Sequence, residues 1–227
     1  MPDTVGLFNR VAKRYDALNT FFSLGMDSRW RKRLSDEIRG SLRVLDVATG
    51  TGEVAMETVR NLGACRVVGA DPSARMLELA RRKVALSGLE GRISLARCGA
   101  ENLPFRSGAF DAVTIAFGIR NTADPLKSLS EMERVLKPGG KAGIMEFAIP
   151  RIRFFAPLYL FYFRNILPLV GSLFGAGSEY KYLSESTSAF PQRESFVKLM
   201  EEAGFRTAKT IELMMGIVVI YMGTKKT

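Results

Sequence analysis

The sequence predicts a doubly wound α/β fold with a mostly parallel sheet of seven strands. Two observations carry that expectation. From residue 42 onward, apolar runs of strand length alternate with segments of helical periodicity. The first of those runs ends in a glycine-rich turn that opens a helix. At 227 residues the chain is long enough for one domain with a full core, spanning 1–227.

The elements follow in order. Val5, Phe8, Val11, Tyr15, Leu18 and Phe22 recur at helical spacing and mark an N-terminal helical segment within 1–40. "LRVLDVA" (42–48) reads as a buried strand, with a helix over 53–61 beyond the glycine turn. "CRVVGAD" (65–71) is the second strand, and residues 73–86 the second helix of the alternation, with Ser73 as its N-cap. "ISLARC" (93–98) and "FDAVTIAFG" (110–118) are two more strands. "PLKSLSEMERVL" (125–136) opens on a proline, the favoured first helical residue, and runs into the turn "KPGG". "KAGIMEF" (141–147) is the fifth strand; a helix over 192–203 and strands near 205–211 and 214–223 close the domain. Residues 151–190 break the rhythm and predict an apolar cap inserted over the carboxyl edge of the sheet, where open α/β sheets bind ligands. Met26, Met76 and Met145 read as core fillers.

The net charge of +10 and the pI near 9.9 suit an anionic partner, either nucleic acid or a phospholipid surface. Cys65 and Cys98 form neither a disulfide framework nor a metal-ligand pattern, so a reducing cytosol and no metal site are expected. The N-terminal residues do not have the pattern of a secretory signal. There is no histidine, which removes the commonest general base.

"VLDVATGTGEVA" (44–55) contains G-x-G-x-x-A, with Gly50 and Gly52 letting backbone approach a ligand at a helix N-terminus. Asp71, about twenty residues on, suits the ribose hydroxyls of an adenosine. NAD and S-adenosylmethionine share that adenosine, and Asp46 separates them. A carboxylate beside the loop repels a pyrophosphate and attracts the ammonium and sulfonium of S-adenosylmethionine. Asp46 can alternatively serve only to cap the turn. The Tyr-x-x-x-Lys pair of a dehydrogenase occurs only at Tyr221 and Lys225, after the last strand.

"YDALNTFFSLGMDSRW", "LDVATGTGEVA", "GAENLPF", "FDAVTIAFGIRN", "ERVLKPGGKAGIMEF" and "YKYLSES", in this order along nearly the whole chain, resemble the UbiE/MenG family. Those are class I, Rossmann-like C-methyltransferases of menaquinone and ubiquinone synthesis. The resemblance implies S-adenosylmethionine as cofactor, S-adenosylhomocysteine as product, and contacts to them from Thr51, Asp71, Gly99, Ala100 and Ala116. The acceptor it implies is a prenylated quinol, either demethylmenaquinol or a polyprenyl methoxy-benzoquinol, with Tyr15, Asn19, Phe117, Arg120, Asn121 and Tyr182 at the substrate. Asp16 either shares that pocket wall or ties down the N-terminal helix. The chain departs from the family pattern at Gly99 (usually Asn), Ala116 (usually Ser), Asp27 (usually His) and Ala148 (usually Ser).

Methyl transfer to a ring carbon needs electron density that only the reduced quinol offers. Arg120, always protonated, suits stabilisation of the developing phenolate, with Asn121 orienting a proton-accepting water and Tyr15 positioning water or quinol. In the alternative, Arg120 and Asn121 cap the strand and pair with Asp124, and Tyr15 is core. Phe154, Phe155, Tyr159, Phe161, Tyr162, Phe163 and Phe174 lie among Arg151, Arg153 and Arg164 in the cap, interrupted by Pro157 and Pro168. That composition predicts a cytoplasmic protein resting peripherally on the inner face of the membrane, or a buried cap. Nucleic acid is not the expected acceptor, because neither an Asn-Pro-Pro-Tyr-type loop nor a catalytic cysteine pair is present. A methyltransferase for another apolar small molecule and a non-catalytic binder of the cofactor are the competing readings; the oligomeric state is left open.

Overall fold

The computed structural model describes residues 6, 20, 23, 25–166, 169, 172 and 177–227. The predicted stripe from Val5 to Phe22 lies outside them, and so do Tyr15, Asp16 and Asn19. Helices are numbered from the first one fully described.

Helix α1 (Asp27–Glu37) buries Trp30 and Leu34, with Ile38 just beyond. Its close approach to the sheet depends on Gly143, where a Cβ would come within 2.8 Å of Leu34 Cδ1. Strand β1 (Arg43–Val47) is buried from Val44 onward, as a strand covered on both faces must be. Then follow α2 (Glu53–Leu62), β2 (Arg66–Asp71), α3 (Ala74–Leu86), β3 (Ile93–Arg97) and β4 (Phe110–Ala116). Ser73 caps α3 as its sequence position predicts, its hydroxyl accepting from Met76 N at 3.1 Å.

A 3-10 turn (Ile119–Asn121) leads to α4 (Pro125–Val135), capped by Asp124, which accepts from Lys127 N at 2.9 Å. Strand β5 (Leu136–Phe147) starts earlier than predicted and includes "KPGG". Phe110 pairs with Leu136 and Ala112 with Lys141, so residues 137–140 bulge between two ladder positions. The turn chemistry was legible; the resumption of pairing on both sides of it was not.

The cap comprises α5 (Phe155–Phe161), a π turn (Tyr162–Ile166) and α6 (Gly177–Ala189). Pro157 falls in the first turn of α5, where no intrahelical partner awaits an N–H, so the helix runs through it. Helix α7 (Glu194–Glu202) and strands β6 (Phe205–Leu213) and β7 (Val218–Lys225) complete the chain. Met214–Gly216, predicted to begin the last strand, is instead the 3-10 tip between β6 and β7.

The sheet order is β3-β2-β1-β4-β5-β7-β6, parallel except for β7, which runs antiparallel to both neighbours. The winding reverses between β1 and β4, which opens a crevice at their carboxyl ends. One core layer gathers Trp30, Leu34, Val54 and Val59 against Val44 and Met145; the other gathers Leu129, Met132, Phe196 and Met200 against Phe110 and Ile144. Met76 and Met145 are buried, as core fillers should be.

Arg193 fastens the cap to the sheet. Its guanidinium reaches Glu212 Oε1 (2.8 Å), Ile149 O (2.7 Å) and Gly216 O (3.1 Å), and its backbone N–H donates to the Tyr221 hydroxyl (2.8 Å). The start of the cap and the β6–β7 tip are thereby joined at one residue, itself at φ +51°.

Candidate active site

At the crevice the chain takes left-handed backbone at two residues with side chains, Ala48 (φ +51°) after β1 and Phe117 (φ +56°) after β4. Such residues cost about 1–2 kcal/mol each and concentrate at functional sites. Between them stands Gly118, where a Cβ would lie 2.6 Å from that of Ala48. The two strand ends therefore converge as closely as backbone permits.

The glycine loop is stitched to β2. Thr49 N donates to Ala70 O at 3.0 Å and Gly50 N to Asp71 Oδ2 at 2.9 Å. Gly50 and Gly52 have φ of +56° and +84°, and Gly52 is the N-cap of α2. The other Asp71 oxygen accepts from Ser73 N at 2.9 Å, so each oxygen keeps acceptor capacity for a ribose hydroxyl. Burial holds the Asp71 carboxyl above the usual carboxylate range. Thr51 is buried beside Lys83, whose ammonium pairs with Glu53; Glu53 also meets Arg31 (3.7 Å), which pairs with Asp27 (2.8 Å). Asp27, where the family usually has His, thus extends a line of alternating charge toward the loop.

Asp46 does not open onto the loop as a bare carboxylate. It is 1% exposed, and its oxygens accept from Thr49 Oγ1 (2.6 Å) and Thr114 Oγ1 (2.8 Å). Asp46 thus ties the turn, as the capping alternative expects. Burial raises its pKa to about 7. Because the folded value exceeds the ordinary 3.8, its contribution to stability is complete at low pH and is lost as pH rises through about 7. Affinity for a cationic ligand should change in the opposite sense, rising with pH as Asp46 ionises. Calorimetry of S-adenosylmethionine binding from about pH 5.5 to pH 7.5 should show that rise, and Asp46→Asn should flatten it. An equal slope in the variant would remove Asp46 from cofactor binding.

Beyond Asp71 lies the loop after β3. Cys98 N donates to Asp71 O at 3.3 Å, which sets Gly99 and the buried Ala100 beside the ribose carboxylate. The space that a side chain at 99 would enter is taken by Glu101, whose Oε2 is 3.1 Å from the Cβ position. Its Oε1 accepts from Ala123 N at 2.7 Å, closing the loop after β3 against the loop after β4.

Past Ala116 and Phe117, Arg120 is paired with Glu146 of β5 rather than with Asp124, which is occupied as the cap of α4. Arg120 Nη1 donates both to Glu146 Oε1 and to Phe117 O (2.9 Å). Asn121 Nδ2 also donates to Phe117 O (3.2 Å), and its Oδ1 accepts from the Tyr182 hydroxyl at 3.0 Å. The arginine lies 5.7 Å from the centroid of Phe147, which stacks on Phe117 at 4.3 Å, with Trp30 edge-on to both rings. Phe117, Arg120, Asn121 and Tyr182 are brought together; Tyr15 and Asn19 lie outside the described residues. Glu146 was missed. Its only signal was a charged residue inside the apolar run "GIMEF".

A family model described as the ubiE/COQ5 methyltransferase family matches residues 3–225. The chain belongs to that family. It is 48% identical over 222 residues to the ubiquinone/menaquinone biosynthesis C-methyltransferase UbiE of Geobacter sulfurreducens, covering 96% of this chain and 87% of that one. It is 44% identical to the demethylmenaquinone methyltransferase of Thermus thermophilus, over 96% of this chain and 100% of the other. Among solved structures, a SAM-dependent methyltransferase of Thermotoga maritima superposes with a TM-score of 0.67 at 21% identity, covering 97% of this chain and 99% of that one, a likeness of fold. The sheet is thus that of the class I methyltransferases, and the cofactor is S-adenosylmethionine. The residues present fit it: a left-handed glycine loop at a helix N-terminus, a ribose carboxylate with spare acceptor capacity, and Asp46 rather than a cation behind the loop.

Proposed function

We infer that the chain methylates a ring carbon of a prenylated quinol, as demethylmenaquinol or a polyprenyl methoxy-benzoquinol, in quinone synthesis. The observation that carries this, within the family, is the cluster Phe117–Arg120–Asn121–Tyr182 at the carboxyl end of β4, next to the glycine loop. S-adenosylmethionine, when bound, supplies the methyl group from its sulfonium. Gly50, Thr51, Gly52, Asp71, Gly99, Ala100 and Ala116 hold it by backbone and carboxylate contacts, with Asp46 acting from behind. Arg120 stabilises negative charge developing on the quinol oxygen, in a setting where fixed donors count for more than in water. Asn121, held by Tyr182 and Phe117 O, orients the hydroxyl or a water beside it. Phe117 and its stacked partner Phe147 keep water from the reacting ring.

The reaction should require a reduced acceptor, because a quinone ring is an electrophile. Incubation with methyl-labelled S-adenosylmethionine should label reduced demethylmenaquinone or the benzoquinol and leave bulk RNA unlabelled. Equal labelling of the oxidised quinone without reductant would refute the nucleophilic quinol.

The cap has two faces. Tyr159 and Phe163 are buried and stacked at 5.1 Å, whereas Phe154 is 91% exposed, Leu158 65% and Phe161 59%. Ile166 and Leu169 are exposed as well. No helix among the described residues is long and apolar enough to cross a membrane. The outward face instead rests on the lipid surface that dissolves the prenyl tail, beside Arg151 and Arg153, and the inward face covers the crevice. Sedimentation with vesicles should show binding that increases with anionic lipid and falls with salt. A Phe154→Ser/Leu158→Ser/Phe161→Ser variant, changed only at exposed positions, should stay folded and lose vesicle binding. Unchanged binding would reject this face.

A further inference from the structure

A quinol hydroxyl ionises near about pH 10, so at neutral pH the nucleophile is scarce unless the site removes the proton. The chain has no histidine to do so. Of the carboxylates along the carboxyl edge of the sheet, Asp46 has both oxygens engaged by threonines, Asp71 faces the ribose position, Glu101 closes the two loops and Glu212 pairs with Arg193. Glu146 lies among them, at the end of β5.

Glu146 stands one residue beyond Met145, the last β5 residue paired with β4, and therefore level with the strained Phe117. It is 1% exposed. Its Oε1 accepts from Arg120 Nη1 and from Phe147 N (2.9 Å), while Oε2 has no hydrogen-bond partner among the described residues. On the other side of the pair, Arg120 Nε has none among the described residues either. Buried polar groups without partners cost about 1–3 kcal/mol each, more when charged, so two in one ion pair call for a ligand group. A hydroxyl is such a group, because it offers a hydrogen to Oε2 and a lone pair to Nε.

We propose that Glu146 is the general base of the reaction, taking the proton of the acceptor's ring hydroxyl on Oε2 while Arg120 holds its other oxygen and stabilises the phenolate. The assignment rests on the quinol reading above and replaces its water with a named proton acceptor. The O–H bond breaks and its electron pair moves into the ring. The ring carbon beside that oxygen forms the new C–C bond as the S–CH3 bond breaks, with the bonding pair left on sulfur. The ring carbon then releases its own hydrogen to solvent as a proton, and the oxygen recovers the proton held by Glu146. One proton leaves per turnover, and nothing is oxidised beyond the methyl transfer itself.

Burial pushes the Glu146 carboxyl above the usual carboxylate range, and the charge of Arg120 opposes that shift. The other titratable groups that sense it are Tyr182 of α6 and Tyr221 of β7, both raised by their own burial. Neither supplies a competing negative charge at neutral pH. The carboxyl is thus a stronger base than an exposed one, and it faces the charge of Arg120.

The test compares wild type with Glu146→Gln on two acceptors, reduced demethylmenaquinone and a ring-halogenated analogue whose hydroxyl is already ionised at the assay pH. Glutamine keeps an oxygen for Arg120 and Phe147 N but is no base. With the ordinary quinol, kcat should fall at least about 10²-fold, and with the ionised analogue at least tenfold less than that. S-adenosylmethionine affinity should match wild type, while the thermal midpoint should fall because Arg120 loses its buried counter-charge. Equal losses on both acceptors, or no loss on either, would overturn the proposal and leave Glu146 a structural partner. If the variant does not fold, the wild-type pH profile decides. An acid limb in kcat with the ordinary quinol that vanishes with the ionised analogue supports the base, and the same limb with both overturns it. Wild type that binds S-adenosylmethionine and methylates neither acceptor would overturn the quinol reading, and this assignment with it.

Discussion

Asp71→Ala should weaken S-adenosylmethionine binding by about 1.5–3 kcal/mol, the worth of hydrogen bonds to a charged acceptor, or roughly 10- to 150-fold in Kd. The expectation has two parts. The carboxylate is the group at the end of β2 suited to the ribose hydroxyls, and it also accepts from the Gly50 and Ser73 amides. Its loss therefore removes a ligand contact and frees the loop that the ligand must find in place. Calorimetry reads the effect, with NAD as the control ligand. NAD should bind neither form, because Asp46 places a carboxylate behind the loop where a pyrophosphate needs donors. An unchanged Kd for the variant, or tight NAD binding by wild type, would reject this use of the loop.

Arg120→Lys should lower kcat by about 10²-fold, the usual consequence of removing one donor to a developing oxyanion, with S-adenosylmethionine affinity nearly unaltered. The guanidinium uses one nitrogen to hold both Phe117 O and Glu146 and leaves Nε unpartnered. An ammonium keeps the charge that Glu146 requires but has no counterpart of the Nε donor and no planar group to lay beside the quinol oxygen. Charge conservation should thus preserve folding while the geometry is lost. Steady-state kinetics with reduced acceptor, alongside cofactor calorimetry, separates the outcomes. Normal kcat would make Arg120 only the counter-ion of a buried acid.

Much of this architecture was legible because it rests on local chemistry. Ser73 declares a cap, the glycines of "ATGTGE" a tight turn, and the strand–helix alternation a parallel sheet. The parts that were not legible depend on partners distant in sequence or on backbone states that residue type does not announce. Asp124 follows Arg120 closely and was the natural partner by proximity, yet its carboxylate is spent on the Lys127 amide. Glu146, from the neighbouring strand, is brought to Arg120 only by the β4–β5 register. Gly50 and Gly52 take positive φ, which glycine adopts freely, but Ala48 and Phe117 adopt it without a glycine to signal it.

The placement of β7 has a consequence for how the chain is made. Strand β6 is synthesised before β7 but contacts the sheet only through it, since β7 lies between β5 and β6. As the polypeptide leaves the ribosome, β1 to β5 can assemble into a parallel sheet whose last edge stays open. During that interval Phe205–Leu213 has no neighbour, and the Arg193 amide has no Tyr221 hydroxyl to meet. The edge closes only when Val218–Lys225 emerges and inserts between two segments already present. An exposed strand edge on a nascent chain is an invitation to wrong pairing, so this interval is where the protein is most open to aggregation and to chaperone capture.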